Sequence, residues 1–318
     1  MANERFAQGI CFFLRGATAL FKKSSTIEAE ERCPMPLQAA YIVAHPPLAI
    51  PKIGRGQEQA IAATTNAYRQ VAERIVQHAP DTIIFISPHS AYYADWIYVA
   101  SGNLSGDLGE FGAPDLRFNL PRDHHLSELI IKYAQQNQVP AGPVETRPRK
   151  LDHGLMVPLY FIEQARAELA PRWQYQGVSI GGSALPPKEL VEFGRSIVQG
   201  IERQDLHVVL VVSGDLSHKL KEDGPYGFDP AGPAFDEQFA DIIKSGDLMG
   251  LATIDAKLAR DSAECGLSGC VMLAGVLDEL AEREGTVLTP SLLSLEGPFG
   301  VGYGIVACET EACDEPEQ

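Results

Sequence analysis

The sequence lacks an excess of positive charge. Its 318 residues include 26 Lys and Arg against 42 Asp and Glu, which gives a formal net charge of −16. Proteins that bind nucleic-acid phosphates need a basic surface, and so do proteins that dock onto anionic membranes by charge. We therefore expect no nucleic-acid partner and no charge-driven attachment to a membrane.

Long apolar runs and paired cysteines are also missing. No apolar stretch approaches the roughly 18 residues of a transmembrane helix, so we expect no stable membrane insertion. The six cysteines form no C-x-x-C pair, which argues against a zinc ribbon or a thioredoxin-type site. Their scattered positions in a chain of this length are typical of reduced thiols in the cytoplasm.

Both ends of the chain differ in composition from the middle. Residues 1–36 are interpreted as an N-terminal extension that is either helical or disordered, since Phe6, Ile10 and Phe13 would share one face of a helix. Residues 309–318 are rich in acidic side chains and are interpreted as a disordered tail. The remaining residues, 37–308, are long enough for one α/β domain.

Between the two ends, apolar strand-like runs alternate with helical patterns. Buried strands are predicted over residues 39–44, 82–87 and 207–213, and helices over residues 57–78, 158–170 and 246–256. Alternating strands and helices indicate an α/β fold, here a single domain with a central, mostly parallel or mixed sheet flanked by helices. Near-continuous apolar strands are typical of a sheet that is covered on both faces.

Histidines follow three of the predicted strands. His45 directly follows the first predicted strand, His89 comes two residues after the second, and His218 comes five residues after the third. Ligands of open α/β sheets bind at the carboxyl ends of the strands. Because neutral imidazole serves both as a metal ligand and as an acid or base, these three side chains are candidates for one site.

Three further segments carry reactive side chains with more than one interpretation. His153, beside Asp152, either enters the site or belongs to a plain capping turn. Glu264 or Cys265 could complete a metal site with two histidines, or could be a capping acid and a buried thiol. A hydrolase built on Ser213, Asp215 and His218 also stays open, although neither Ser213 nor Ser217 lies in a G-x-S-x-G elbow.

Several short motifs, spread over residues 39–307, resemble those of the LigB-type class III extradiol ring-cleavage dioxygenases. The resemblance is closest to the dioxygenase-like domain of AmmeMemoRadiSam system protein A and extends distantly to Memo proteins. The motifs are Ile86-Ser87-Pro88-His89, Phe111-Gly112-Ala113-Pro114, Leu151-Asp152-His153-Gly154 with Val157-Pro158-Leu159, Gly214-Asp215-Leu216-Ser217-His218, Glu264-Cys265-Gly266-Leu267 and Phe299-Gly300-Val301-Gly302-Tyr303.

The resemblance implies a role for each candidate residue. His45 and His89 match the metal-binding histidines of the superfamily, and Glu264 matches its metal carboxylate. Cys265 is the neighbouring alternative, because Memo-like relatives use a cysteine there. His218 matches the acid/base histidine, and His153 matches a histidine that orients the substrate.

The function implied by the resemblance is oxygen-dependent ring cleavage. The chain would be a non-haem Fe(II)-dependent extradiol dioxygenase acting on a catecholic or related aromatic substrate with O₂. The alternative is a Memo-like metal-binding scaffold or redox protein that works with a partner and does not cleave rings. The resemblance also implies a separately encoded partner domain and a homo-oligomer.

Overall fold

The computed structural model describes residues 36–144 and 150–310. Nearly all of the predicted extension, residues 1–36, and residues 311–318 of the predicted tail lie outside the described residues. The strands are β1 (Leu37–Val43), β2 (Thr82–Ser87), β3 (Ile97–Tyr98), β4 (Leu104–Leu108), β5 (Ala113–Leu120), β6 (Ala141–Gly142), β7 (Gln176–Gly181), β8 (Val208–Ser213), β9 (Thr289–Glu296) and β10 (Tyr303–Glu309). The helices are α1 (Pro51–Gly54), α2 (Ala62–His78), α3 (His124–Gln136), α4 (His153–Leu169), α5 (Pro187–Ile201), α6 (Ala231–Ser245), α7 (Ala256–Ser262) and α8 (Leu267–Glu284).

A central sheet of six strands organises the described part of the chain in the order β7-β2-β8-β1-β10-β9. The first four strands in this order run parallel, whereas β10 pairs antiparallel with both β1 and β9. The predicted α/β fold with a mixed central sheet is therefore confirmed. Because β2, β8 and β1 are neighbours and parallel, their carboxyl ends meet at one edge of the sheet.

The central strands are buried on both faces. Along β2, Ile84 and Ile86 belong to the core cluster that also contains side chains of α3, α5 and α8. Ile83 and Phe85 belong to the cluster that contains side chains of α2 and α4. Burial on two sides explains why these strands are apolar at nearly every position instead of at alternate positions. Within the described residues, no helix is both long and apolar enough to cross a membrane.

Side-chain caps decide where several helices begin. The carboxylate of Asp152 accepts a hydrogen bond from the N–H of Leu155, so α4 begins before the predicted start at residue 158. The predicted helix over residues 246–256 is wrong. That segment is a 3₁₀ turn over Leu248–Thr253, and a new helix, α7, begins only after Asp255, whose side chain accepts from the N–H groups of two following residues.

The backbones of helices α5 and α8 come into close contact at Gly275 of α8. A Cβ atom added to Gly275 of α8 would lie 2.1 Å from the carbonyl oxygen of Val191 in α5. Alanine is the better helix former by about 1 kcal/mol, but a clash with main chain cannot be relieved by a rotamer change, and overpacking costs about 1–3 kcal/mol. We therefore expect Gly275→Ala to lower the free energy of unfolding in a urea titration, and Gly275→Ser to lower it further. Equal stability of Gly275→Ala and the wild type would contradict this packing.

Candidate metal centre

Three histidines converge at the carboxyl edge of the sheet. His45 follows β1 and His89 follows β2, and their Nε2 atoms lie 2.9 Å apart. His153 is the first residue of α4, and its ring centroid lies 4.1 Å from that of His89. Within the described residues, one ring nitrogen from each of the three histidines lies within 4.8 Å of the other two, close enough to hold a metal ion.

His45 is the most constrained of the three side chains. Its imidazole is buried, and its Nδ1 atom lies 2.9 Å from the hydroxyl of Ser213 at the end of β8. The backbone N–H of His45 donates a hydrogen bond of 2.8 Å to the carboxylate of Asp215. Both partners come from β8 and the loop after it, so the pairing of β1 with β8 fixes the direction of the ring.

The local environment keeps the cluster uncharged. Burial lowers the pKa of His45, and the neighbouring His89 and His218 lower it further. Desolvation, with smaller contributions from nearby imidazoles, lowers the pKa of His89 and that of His153 to about 4. Neutral imidazoles at neutral pH have a free lone pair, so metal binding there would not have to displace a proton from the rings.

Glu264 and Cys265 are adjacent in sequence, but their side chains contact different groups. The carboxylate of Glu264 accepts a hydrogen bond of 2.6 Å from the N–H of Leu267, the first residue of α8. Burial raises the pKa of that carboxyl to about 7. The Sγ atom of Cys265 lies 3.7 Å from Nε2 of His45. The three-histidine cluster includes neither residue, and the metal role assigned to Glu264 stays a prediction.

Asp215 is a site residue that the sequence suggested only as part of the hydrolase alternative. One of its carboxylate oxygens lies 3.9 Å from Nε2 of His45, and burial raises its pKa to about 6. Its backbone N–H donates to the sulfur of Cys265 at 3.3 Å. Its position two residues after the end of β8 is the sequence signal that could have identified it.

His218 lies on the same loop with one ring nitrogen free. Its Nδ1 atom is buried and has no hydrogen-bond partner among the described residues. Its ring meets that of Tyr226 edge to face, with centroids 5.4 Å apart. Its imidazole contributes to lowering the pKa values of His45 and His89. The predicted acid/base role of His218 stays a prediction.

The serines of the hydrolase alternative are not available as nucleophiles. The hydroxyl of Ser213 donates a hydrogen bond of 2.5 Å to the carbonyl oxygen of Gly154. Ser217 is fully buried at the base of the same loop. A nucleophile must be able to reach a substrate, so the structure does not favour a serine hydrolase.

A cavity of about 390 Å³ opens beside His89 and His153. The ring of Phe111 forms part of its wall and meets His153 with ring centroids 5.4 Å apart. The other lining residues are Ser90, Ala91, Tyr98, Leu104, Asp107, Glu110, Lys150, Leu151, Asp152 and Met156. This volume suits a small ligand. A second cleft of about 400 Å³, around Trp173, is lined by none of these histidines.

Neutral imidazoles at the carboxyl edge of an α/β sheet, next to a small cavity, define a candidate metal centre with room for a ligand. Comparison with known protein families agrees with this class. Residues 39–306 match the family described as the catalytic LigB subunit of aromatic ring-opening dioxygenase. The chain belongs to this LigB family, which confirms the predicted superfamily.

Two relatives extend the comparison. The chain is 36% identical over 288 residues to Protein CA_C1420 of Clostridium acetobutylicum, a match that covers 88% of this chain and 59% of that protein. It is 25% identical over 163 residues to the 3,4-dihydroxyphenylacetate 2,3-dioxygenase of Escherichia coli, covering 50% of this chain and 57% of that enzyme. The chain thus matches less than two thirds of the length of either relative.

A solved structure shares the fold. The crystal structure of the uncharacterized protein JW3007 from Escherichia coli K12 aligns with a TM-score of 0.55 at 14% sequence identity. The alignment covers 85% of this chain and 99% of that one. At this level of identity the likeness concerns the fold alone.

Proposed function

We propose that this chain is a non-haem Fe(II)-dependent extradiol dioxygenase that cleaves a catecholic or related aromatic ring with O₂. The observation that carries the proposal is the 2.9 Å approach of the Nε2 atoms of His45 and His89, beside a cavity of small-molecule size, in a chain of the LigB family. The similarity to a named dioxygenase over half of the chain supports the same reaction class.

The residues at the site fit a divalent first-row metal. Imidazole nitrogens with a nearby carboxylate are typical of non-haem Fe(II) centres, and here Asp215 lies 3.9 Å from His45. His45 and His89 would hold the metal, with Glu264, as the resemblance implies, or Asp215 completing the set. When bound, Fe(II) would bring the aromatic diol and O₂ together and allow electron density to pass between them.

The remaining residues would handle protons and position the ring. His218 would accept a phenolic proton and later return it, as the resemblance implies. His153 and Phe111 form a wall of the cavity and would orient the aromatic ring. Extradiol cleavage breaks a ring C–C bond beside the diol and places both atoms of O₂ in the product, so the reaction needs no external reductant.

A second candidate is a Memo-like metal-binding scaffold or redox protein that acts with a separately encoded partner. It is favoured by the sulfur of Cys265, which lies 3.7 Å from Nε2 of His45, whereas the carboxylate of Glu264 is hydrogen-bonded to the start of α8. Thiolate ligands suit softer or redox-active metals. The free thiols of Cys265, Cys270 and Cys308 support a reducing, cytoplasmic setting for either candidate.

The two candidates are separated by metal content and oxygen uptake. We would purify the protein anaerobically, measure its metals, and screen catechols for O₂ consumption and ring-opened product. The variants Glu264→Gln, which keeps an acceptor for the N–H of Leu267, and Cys265→Ser form a matched pair. The dioxygenase predicts bound iron that survives Cys265→Ser and one O₂ consumed per catechol. Copper or zinc lost only in Cys265→Ser would favour the scaffold, and the absence of any metal would exclude both.

A further inference from the structure

Helix α4 contains a proline at a position where a helix normally forbids one. Pro158 is the sixth residue of α4. Proline has no N–H, so the carbonyl oxygen four residues earlier, that of Gly154, loses its helical donor. Gly154 is buried, and a buried carbonyl needs another partner.

The hydroxyl of Ser213 provides that partner from outside the helix. It donates to the Gly154 carbonyl oxygen at 2.5 Å. The packing around residue 154 favours a glycine, since a Cβ atom there would lie 2.4 Å from the hydroxyl of Ser87. Because Pro158 has no N–H, the Gly154 carbonyl oxygen is free of a helical donor and available to the hydroxyl of Ser213.

The direction of this hydrogen determines the tautomer of His45. A serine hydroxyl has a single hydrogen, which is used on Gly154, so towards Nδ1 of His45, 2.9 Å away, its oxygen can only accept. Nδ1 must then carry the imidazole hydrogen. The lone pair is left on Nε2, the atom that faces Nε2 of His89 at 2.9 Å.

We propose that Pro158 and Ser213 are positioning residues that hold His45 in the Nδ1–H tautomer, with its Nε2 lone pair directed to the metal position. If residue 158 had an N–H, that group could bond to the Gly154 carbonyl and release the Ser213 hydroxyl. The hydroxyl could then donate to Nδ1, which would place the hydrogen on Nε2 and block metal binding. The metal part of this inference rests on the proposed function, whereas the tautomer does not.

The tautomer can be measured directly in the metal-free protein. Nitrogen-15 labelling of the eight histidines and long-range proton–nitrogen NMR distinguish a protonated ring nitrogen from an unprotonated one, and His45→Ala assigns the signal. We expect Nδ1–H in the wild type, a mixture or the Nε2–H form in Ser213→Ala, and recovery of Nδ1–H in Ser213→Thr. Affinity for zinc(II) should fall by about 10–100-fold in Ser213→Ala, the range for residues that orient a ligand.

Ser87→Ala is the matched control. Ser87 is also a buried serine at the end of a strand, but its hydroxyl donates to Asp152 and accepts from the backbone N–H of His89. Ser87→Ala should therefore leave the His45 tautomer unchanged.

Pro158→Ala provides a variant that folds even if Ser213→Ala does not, since it removes a proline from a helix interior. We expect it to shift the tautomer towards Nε2–H without lowering the melting temperature.

Distinct outcomes would overturn the two proposals. An Nε2–H form in the wild type, or a pure Nδ1–H form retained in both Ser213→Ala and Pro158→Ala, excludes the positioning role. A loss of melting temperature in Ser213→Ala with an unchanged tautomer and zinc affinity indicates a structural role only and also excludes it. A tautomer that responds as expected in a protein that binds no zinc, iron or copper supports the positioning role and excludes the proposed function.

Discussion

Replacing His45 with alanine is expected to abolish metal binding. The side chain is buried, its Nε2 atom lies 2.9 Å from that of His89, and the proposed centre cannot be assembled without it. Removing residues that only orient a ligand costs about 10–100-fold in affinity, so the loss of a direct ligand should exceed about 100-fold. Metal analysis of protein purified anaerobically should show a fall from near one metal per chain to background.

His125→Ala is the control for this experiment. His125 is exposed on α3 and lies outside the three-histidine cluster, so this variant should keep the metal content of the wild type. Circular dichroism and thermal unfolding of both variants in the metal-free state separate the loss of a ligand from the loss of the fold. A folded His45→Ala protein that retains as much metal as His125→Ala would contradict the proposed centre.

Replacing His218 with alanine is expected to lower kcat for ring cleavage while the metal stays bound. In the proposed function this imidazole moves the phenolic proton, and a general acid/base contributes about 10²–10⁴-fold. Its ring lies beside the exposed ring of Tyr226 and outside the three-histidine cluster. Steady-state O₂ consumption with a catechol substrate, together with metal analysis of the same sample, measures both quantities.

Added imidazole distinguishes a proton-transfer role from a structural one. Imidazole in the assay should restore part of the activity of His218→Ala, because the removed side chain leaves space for a base of the same kind. It should have no such effect on His45→Ala, which lacks the metal. A variant His218→Ala that loses its metal, or one that keeps the kcat of the wild type, would show that this residue does not have the assigned role.

The edge of the sheet was predictable because it depends on strong, local signals. The apolar run over residues 82–87 predicted β2 with the bounds observed, and the run over residues 207–213 predicted β8 within one residue. Parallel neighbours then bring His45 and His89 together. The hairpin of β4 and β5 was missed, since its strands have no continuous apolar run and expose two of five positions in β4 and four of eight in β5.

The chemistry at this edge of the sheet depends on the directions of side chains, which the spacing of residues in the sequence does not reveal. Glu264 and Cys265 are adjacent, and both were candidate ligands from their position before a helix. The backbone conformation before α8 directs the carboxylate of Glu264 to the N–H of Leu267. The same conformation places the sulfur of Cys265 near His45. The hydrogen bond from Ser213 to Gly154 joins residues 59 apart in the chain and likewise leaves no local signal.

The position of β1 in the sheet has a consequence for how the chain folds. β1 is the first strand of the described chain, yet its partners β8 and β10 come late in synthesis. The contact of Tyr41 with Glu309 spans 268 residues. Contacts of such long range slow folding. Because its two partner strands are synthesised late, β1 has both edges unpaired until most of the domain has been made. During that interval the nascent chain presents an apolar strand to other chains, and aggregation then competes with folding.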